Sequence, residues 1–217
     1  MKTFIAVPSM DQVAVQFCQS LAVLNKSGEC GIGFKVGSLI TESREYLALQ
    51  AIQSGADYVM WFDSDMTFPP DTLERMQKHM ETYDIVSGIY FRRTPPYTPV
   101  LHKTLDIKED GEGGYTATFS DYEDYPLNSV FEVEGIGFGC VMMKTDVLRA
   151  VVMEYGTAFA MMGKNGEDCS FSQRVRNLGY HIMCDSSIKC GHVGHLTITE
   201  GLFRSMQRLP KPEGSGR

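Results

Sequence analysis

Residues 58–62 form a continuous apolar run, Tyr-Val-Met-Trp-Phe, and aspartates follow at positions 63 and 65. A short apolar run of this kind is typical of a strand in a sheet that is covered on both faces. Apolar runs and segments of helical spacing alternate in the order 4–7, 13–24, 34–37, 42–54, 58–62, 69–80 and 84–90. This alternation predicts an α/β fold with a mostly parallel central sheet and helices on both faces.

The segment 92–134 has a different pattern, with several prolines and a polar stretch at 106–114. Within it, 115–119 and 130–133 alternate like antiparallel strands, which predicts a small hairpin insertion over the site. After it, an apolar strand at 140–143, helices near 145–152 and 167–178, and a last strand at 180–184 are predicted. Before the second strand, Gly28, Gly31 and Gly33 are interpreted as a break in the chain.

The length of 217 residues favours one domain. We expect a catalytic domain at 1–205, with a nucleotide-binding half at 1–91 and an acceptor-binding half at 92–205. The residues 206–217 are expected to form a flexible tail. No apolar run is long enough to cross a membrane, and the first apolar run is too short for a signal peptide.

The charge and the cysteines restrict the function further. A net charge of −7 disfavours bulk binding to nucleic acid, and Arg92 and Arg93 are interpreted as a solvated surface. The six cysteines contain no Cys-x-x-Cys pair. Scattered single thiols of this kind are typical of a reduced, cytoplasmic protein and not of a disulfide framework.

Asp63 and Asp65 place two carboxylates one residue apart, directly after the apolar run 58–62. Ligands of α/β sheets bind beyond the carboxyl ends of the strands. Mg²⁺ and Mn²⁺ take oxygen ligands there and fill their other positions with phosphate oxygens and water. A metal on this pair would neutralise charge on a leaving diphosphate. The alternative interpretation is a polar turn that ends the strand.

Two further segments carry candidate chemistry. Glu167 and Asp168 begin the predicted helix 167–178, where one carboxylate could take the proton from an acceptor hydroxyl. The alternative is that both acids only stabilise the helix dipole. His192 lies between glycines after the last strand, and its imidazole could complete the coordination of Mn²⁺. The alternative is a surface or core histidine.

The order and spacing of these segments resemble those of the GT-A glycosyltransferases, in particular small family-2-like enzymes of the short bacterial or phage type. The resemblance spans about residues 3–195. It rests on Pro8 at the end of the first strand, Arg44 in an alanine-containing helix, and the segments 61–70, 86–88, 135–139, 166–171 and 191–194. Several motifs in the family's order are much more specific than any one of them.

The resemblance implies a Rossmann-like nucleotide-binding sheet and a site at its edge. Asp65 would bind the metal directly, Asp63 would contact the donor ribose or bind the metal through water, and His192 would be the third protein contact. Asp168 resembles the base of inverting members, with Glu167 beside it. The implied contacts to the donor are Pro8, Ser9, Arg44, Ser64 and the backbone of Gly137, Phe138 and Gly139.

The leading hypothesis is therefore metal-dependent transfer of a sugar from a nucleotide sugar, UDP-sugar before GDP-sugar, to an acceptor hydroxyl. The acceptor stays open among a glycan, a lipid-linked sugar, a protein and a modified nucleic-acid base. One alternative is a nucleotidyltransferase, but residues 8–12 lack the glycine- and basic-rich loop that such enzymes usually place after the first strand. The other is a non-catalytic binding module, which would have less use for Asp63, Asp65, Asp168 and His192 together.

Overall fold

The computed structural model describes residues 1–122 and 124–194. Up to residue 90 the elements are β1 (Lys2–Ser9), α1 (Val15–Val23), β2 (Glu29–Val36), α2 (Ile40–Gln53), β3 (Tyr58–Phe62), β4 (Met66–Thr67), α3 (Thr72–His79) and β5 (Ile85–Ile89). They are followed by β6 (Leu101–Glu109), β7 (Tyr115–Asp121), β8 (Val130–Val133), β9 (Gly135–Ile136), β10 (Cys140–Lys144), α4 (Thr145–Tyr155), α5 (Glu167–Asn177), β11 (Ile182–Lys189) and β12 (Gly191–His192). The alternation predicted for the first part of the chain is confirmed.

A seven-stranded sheet organises the fold, in the order β2-β1-β3-β10-β5-β11-β8. Strands β1, β2 and β3 pair in parallel, and β5 pairs in parallel with β11. Strand β10 runs antiparallel to both β3 and β5, and β8 runs antiparallel to β11. Five of the seven strands therefore point the same way. Because β1 and β3 are parallel neighbours, their carboxyl ends lie side by side.

Helices cover both faces of this sheet, as the apolar run 58–62 predicts. On one face, Trp61 of β3 packs with buried residues of α2, α4 and α5. On the other face, Met60 and Phe62 pack with residues of α1 and α3. Burial of each large side chain of this kind contributes about 1.5–3 kcal/mol. The two cores hold β3 in place, and with it the aspartates that follow.

Gly31 and Gly33 lie inside β2, so the predicted break at these positions is wrong. Strand β2 pairs with β1 along its whole length, with Gly31 opposite Phe4. A Cβ atom at Gly33 would overlap the ring of Phe4. Gly33 therefore makes room for the Phe4 ring beside β2. Of these three glycines, only Gly28, with a φ of +74°, has the positive φ that favours glycine in a turn.

The predicted hairpin between 115–119 and 130–133 is also wrong. Strand β7 pairs with β6, and β6 also pairs with β9, so these three strands form a separate antiparallel sheet. Strand β8 instead joins the edge of the main sheet. The polar stretch that begins at 106 belongs partly to β6, which alternates buried and exposed residues. A small antiparallel insertion is present, but its strands differ from the predicted pair.

Within residues 1–122 and 124–194, no helix is long and apolar enough to cross a membrane. The predicted last strand begins later and extends further than expected, from Ile182 to Lys189. The predicted tail 206–217, and the end of the expected catalytic domain at 205, lie outside the described residues.

Candidate active site

A cleft of about 300 Å³ lies where β1 and β3 end. Its walls come from the loop after β1, the segment that leads into α2, the segment after β3, and two residues from later in the chain. The lining residues are Pro8, Ser9, Met10, Ser38, Ile40, Ser43, Asp63, Ser64, Asp65, Arg93 and His192. Six of the predicted site residues are therefore brought together in one cleft.

A two-stranded sheet brings His192 next to Asp65. The turn after β3 is closed by the Met66 N–H, which donates to the Asp63 carbonyl at 3.1 Å. Strand β4 then pairs with β12, which places His192 opposite Met66. The Val193 N–H donates to the Asp65 carbonyl at 2.8 Å. As a result, His192 Nε2 lies 3.5 Å from Asp65 Oδ2.

A hydrogen bond and an aromatic contact fix the orientation of the His192 imidazole. Its Nδ1 lies 2.9 Å from the Phe91 carbonyl, which can only accept, so Nδ1 carries the proton and donates it. Tyr90 meets the ring edge-on. Burial lowers the pKa of His192, but hydrogen bonds to Asp65 and to the Phe91 carbonyl outweigh this and raise it. A neutral His192 would therefore present the lone pair of Nε2 toward Asp65.

Asp65 faces one arginine and one histidine inside the cleft. Burial raises the pKa of its carboxyl, but the hydrogen bond and charge of His192 and the charge of Arg93 outweigh this and lower it. Arg93 Nη1 donates to Asp65 Oδ2 at 2.7 Å, although its side chain is 50% exposed. The interpretation of Arg93 as a solvated surface residue is therefore incomplete. No local signal at 92–93 could show that this arginine reaches a carboxylate 28 residues away.

The donor set of the cleft suits a divalent cation that is shared with a ligand. The Asp65 carboxylate and the His192 imidazole are both groups that bind Mn²⁺. A histidine ligand usually donates its other ring N–H to a carbonyl or carboxylate, as His192 does to Phe91. In the part of the chain that the structure describes, no group of three His, Cys, Asp or Glu residues could hold a metal by itself. Phosphate oxygens and water would have to supply the other ligands.

Arg44 links the two predicted carboxylate pairs. Its side chain is 3% exposed, its Nη2 donates to Asp63 Oδ1 at 2.9 Å, and its Nε donates to Glu167 Oε1 at 3.1 Å. The guanidinium also lies 5.0 Å from the ring centre of Phe138. Arg44 thus holds the end of β3 against the start of α5. Its predicted contact to the nucleotide stays a prediction, and Nη1 is a buried donor without a hydrogen-bond partner among the described residues.

Glu45, the residue after Arg44, orders a loop that sequence reasoning missed. Its carboxylate accepts hydrogen bonds from Thr157 Oγ1 and from the N–H groups of Ala158 and Phe159, at 2.9–3.2 Å. Phe159 then packs on Trp61 with ring centres 5.2 Å apart. Neighbouring residues of α2 therefore fix the end of β3 and the loop before α5.

Glu167 and Asp168 begin α5 as predicted, but neither lines the cleft. Glu167 is bound to Arg44. Asp168 Oδ1 accepts from the N–H of Cys169 at 2.7 Å. Acidic residues in a first helical turn also interact favourably with the helix dipole. The structure therefore connects Glu167 to Asp63 through one arginine, while Asp168 lies beside this network.

A chain of titratable groups lies next to Asp168 and was not predicted. The Cys169 Sγ is 3.4 Å from His102 Nε2, and His102 Nδ1 is 2.7 Å from Asp121 Oδ1. Arg92 donates to the other oxygen of Asp121 at 3.1 Å. Burial, followed by the charge of Asp168, raises the pKa of the Cys169 thiol to about 12. The thiol is therefore protonated near neutral pH and can donate a hydrogen bond.

The glycine-rich segment packs around one tyrosine. A Cβ atom at Gly137 or at Gly139 would overlap the Tyr90 side chain, and the Gly139 N–H donates to Tyr90 Oη at 3.1 Å. Phe138 is buried and packs edge-to-face on Trp61, with ring centres 5.7 Å apart. Packing around Tyr90 thus accounts for both glycines. The predicted approach of this backbone to the donor sugar stays a prediction.

Comparisons with known proteins bear on the family and the fold of the chain. Residues 49–151 match Glycosyl transferase family 2. The fold is similar to the crystal structure of A197 from STIV, with a TM-score of 0.62 and 21% identity over 90% of this chain and 87% of that chain. It is also similar to GalNAc-T7 with UDP, GalNAc and Mn²⁺, with a TM-score of 0.58 and 8% identity over 90% of this chain and 44% of that chain. A search of curated proteins finds no match.

Proposed function

Because this chain is a glycosyltransferase of the GT-A fold that resembles family 2, we propose that it transfers a sugar from a nucleotide sugar to an acceptor hydroxyl with the help of a divalent cation. The observation that carries the proposal is the pairing of Asp65 with His192 inside the cleft. UDP-sugar is the first candidate donor, because the similar GalNAc-T7 structure contains UDP and Mn²⁺.

In this proposal, Asp65 and His192 bind the cation beyond the carboxyl end of β3. Bound there, Mn²⁺ or Mg²⁺ supplies positive charge to the diphosphate that leaves with the nucleotide. Asp63 contacts the donor ribose, or the cation through water, with its free oxygen, because Arg44 already occupies Oδ1. Arg93 provides a second cation beside Asp65 and would contact the phosphates once a metal replaces it there.

The other lining residues of the cleft are proposed to bind the nucleoside. Pro8 and Ser9 end β1, and Ser64 lies between the two aspartates. The Ser9 hydroxyl donates to the Gln12 carbonyl at 2.7 Å, which orders the loop after β1. Exposed apolar side chains of Met10 and Ile40 form the rim and suit one face of a nucleobase.

Asp168 is proposed as the general base that takes the proton from the acceptor hydroxyl. Its carboxylate is held by the Cys169 N–H, and a thiol of raised pKa can donate a further hydrogen bond to it. Glu167, bound to Arg44, would position this turn rather than react. The nearby sheet of β6, β7 and β9 is proposed to select the acceptor, whose identity stays open among the four classes named above.

The first test is a calorimetric titration of UDP, GDP and CMP into the protein, with Mn²⁺ and then with EDTA. We expect binding of one nucleoside diphosphate that requires the metal. Failure of every nucleotide to bind under both conditions would overturn the proposal in favour of a binding module that does not recognise nucleotides.

The second test separates the base from the donor site. Asp168→Asn should bind the nucleotide as tightly as the wild type but should lose sugar transfer, because an amide cannot accept the proton. Asp146→Asn, at an 82% exposed side chain on α4, is the matched control. A loss of nucleotide affinity in Asp168→Asn would show that Asp168 acts mainly on the donor.

A further inference from the structure

Strand β2 is an unprotected edge of the main sheet. It lies at one end of the strand order, so its outer N–H and C=O groups have no neighbouring strand within the described residues. The opposite edge is different. Strand β8 has only four residues and carries Glu132, which is ion-paired with His181. Short, charged edges resist pairing with other chains, whereas long apolar edges favour it.

One face of β2 carries an exposed apolar row. Ile32, Phe34 and Val36 are 40%, 45% and 56% exposed. They lie opposite Ile5, Val7 and Ser9 of β1 in the parallel ladder, on the side of the sheet that α1 and α3 cover. Helix α1 is only nine residues long and buries only Phe17, so it leaves this row open. An apolar row on a free edge is unfavourable in an isolated chain.

We propose that β2 pairs in antiparallel fashion with β2 of a second copy of this chain. A two-fold axis that joins two sheets in this way stands perpendicular to the sheet, so each residue lies opposite a residue on the same face. Since faces alternate along a strand, the numbers of two opposite residues must add up to an even sum. This condition leaves few registers for the eight residues from Glu29 to Val36.

The charges of β2 select one of these registers. Glu29 lies near one end and Lys35 near the other. Only the register in which opposite numbers sum to 64 places Glu29 of each copy opposite Lys35 of the other, so both ion pairs form at once. The same register places Ile32 on the two-fold axis and Phe34 opposite Cys30. Opposite charges and apolar pairs across strands stabilise a sheet by about 0.2–1 kcal/mol each.

This pairing would join two seven-stranded sheets into one. The axis at Ile32 is roughly 13 Å along the strand from Val36, and the cleft begins beyond Val36, at Ser38. The inference does not depend on the proposed reaction, because none of the paired residues lines the cleft.

The first test is the mass in solution, measured by light scattering after size-exclusion chromatography under reducing conditions. We expect the mass of two 24.2 kDa chains for the wild type. Phe34→Lys should halve the mass, because it places a charge on each side of the interface. Leu127→Lys, at a residue that is 71% exposed elsewhere, should leave the dimer intact. A monomeric wild type, or a Phe34→Lys variant that stays dimeric, would overturn the proposal.

The second test fixes the register by disulfide cross-linking. The exposed Cys18 is replaced by serine in all variants. Opposite residues of antiparallel strands have Cα atoms about 4.5–5.5 Å apart, within the range of a disulfide. On oxidation, Phe34→Cys should therefore form a covalent dimer through the native Cys30, and the additional change Cys30→Ser should abolish it.

Two more variants check the axis. Ile32→Cys in the Cys30→Ser background should cross-link with its own copy, because Ile32 lies on the axis. Val36→Cys in the same background should not, because it lies opposite Gly28. Cross-linking through Val36→Cys, or none through Ile32→Cys, would overturn the proposed register even if the protein is dimeric.

Discussion

Two arginines hold the acidic residues of the candidate site in opposite ways. Asp63 and Glu167 share Arg44, whose side chain is 3% exposed and packs against Phe138. Asp65 is bound by Arg93, whose side chain is 50% exposed. Loss of the buried Arg44 would leave the carboxylates of Asp63 and Glu167 without a partner, which is strongly unfavourable. The exposed Arg93 can release Asp65 at little cost, because water can solvate both groups.

This difference assigns a structural role to Arg44 and a role in binding to the site of Arg93. The buried arginine fixes the end of β3 relative to the start of α5, so the distance between Asp63 and Glu167 is part of the fold. The exposed arginine occupies the one carboxylate that also faces His192, where another cation could take its place. We therefore expect variants at Arg44 to change stability and variants at Asp65 or Arg93 to change binding.

The largest effect is expected for Asp65→Ala. Changes to residues that merely support a metal ligand cost about 10–100-fold in affinity or activity, so loss of a direct ligand should cost at least about 100-fold. Metal-dependent binding of the nucleotide should disappear in calorimetry, and sugar transfer should stop. Circular dichroism and thermal unfolding should be unchanged, because Asp65 lies in the cleft. Near wild-type turnover of Asp65→Ala would place the metal elsewhere.

Arg44→Met should affect stability most. It leaves Asp63 and Glu167 without their shared partner and should lower the free energy of unfolding by about 3 kcal/mol, measured by urea denaturation. The control is Lys144→Met, which removes a 2.8 Å ion pair of a more exposed lysine and Asp84 and should cost less than about 1 kcal/mol. Equal losses in the two variants would mean that Arg44 is not needed to hold β3 and is available for the nucleotide.

The elements around β3 could be predicted because their signals are local. The apolar run at Tyr58–Phe62 can be buried only in a strand that is covered on both faces. The aspartates after it must then lie at the carboxyl end of that strand. Helix α5 could likewise be placed from the spacing of Phe171 and Val175, both buried. In each case the side chains that decide the structure are neighbours in the sequence.

The middle of the chain was harder because its pairing partners are set by the rest of the fold. Strand β6 has buried Leu101, Leu105 and Ile107 on one face and charged residues on the other. The sequence predicts no strand at 101–109, because a polar stretch begins at 106. Nothing in the local sequence indicates that β8 pairs with the edge strand of the main sheet and not with β7. The choice follows from β11 offering a free edge.

The parts of the site that were missed depend on contacts between distant residues. The resemblance to a family, and not spacing, connected His192 with Asp65. The contacts of Arg93 to Asp65, of Glu45 to the 157–159 loop and of His102 to Cys169 have no counterpart in local sequence. They form only after the sheets have placed these side chains, so one sequence alone could not reveal them.

A smaller effect is expected for Arg93→Ala. If a divalent cation must displace Arg93 from Asp65, removing the arginine should tighten binding of Mn²⁺ alone. An ion pair of this exposure contributes about 0.2–1 kcal/mol, so the affinity for Mn²⁺ should rise by up to about fivefold. Arg92→Ala is the matched control, because Arg92 pairs with Asp121 instead. Weaker binding of Mn²⁺ to Arg93→Ala would mean that the arginine supports the metal site.

The smallest effect concerns the thiol beside the proposed base. The charge of Asp168 contributes to the raised pKa of Cys169, about 12, so Asp168→Asn should lower that pKa and increase the thiolate fraction. Because the thiolate is the reactive form, alkylation of Cys169 by iodoacetamide at mildly alkaline pH should accelerate by roughly threefold for a half-unit shift. Mass spectrometry would follow Cys169, with the exposed Cys18 as internal reference. Asp146→Asn, at an 82% exposed side chain on α4, should leave the rate unchanged. An unchanged rate in Asp168→Asn would mean that this carboxylate does not interact with the thiol. That result would contradict the proposed hydrogen bond from Cys169 to the base.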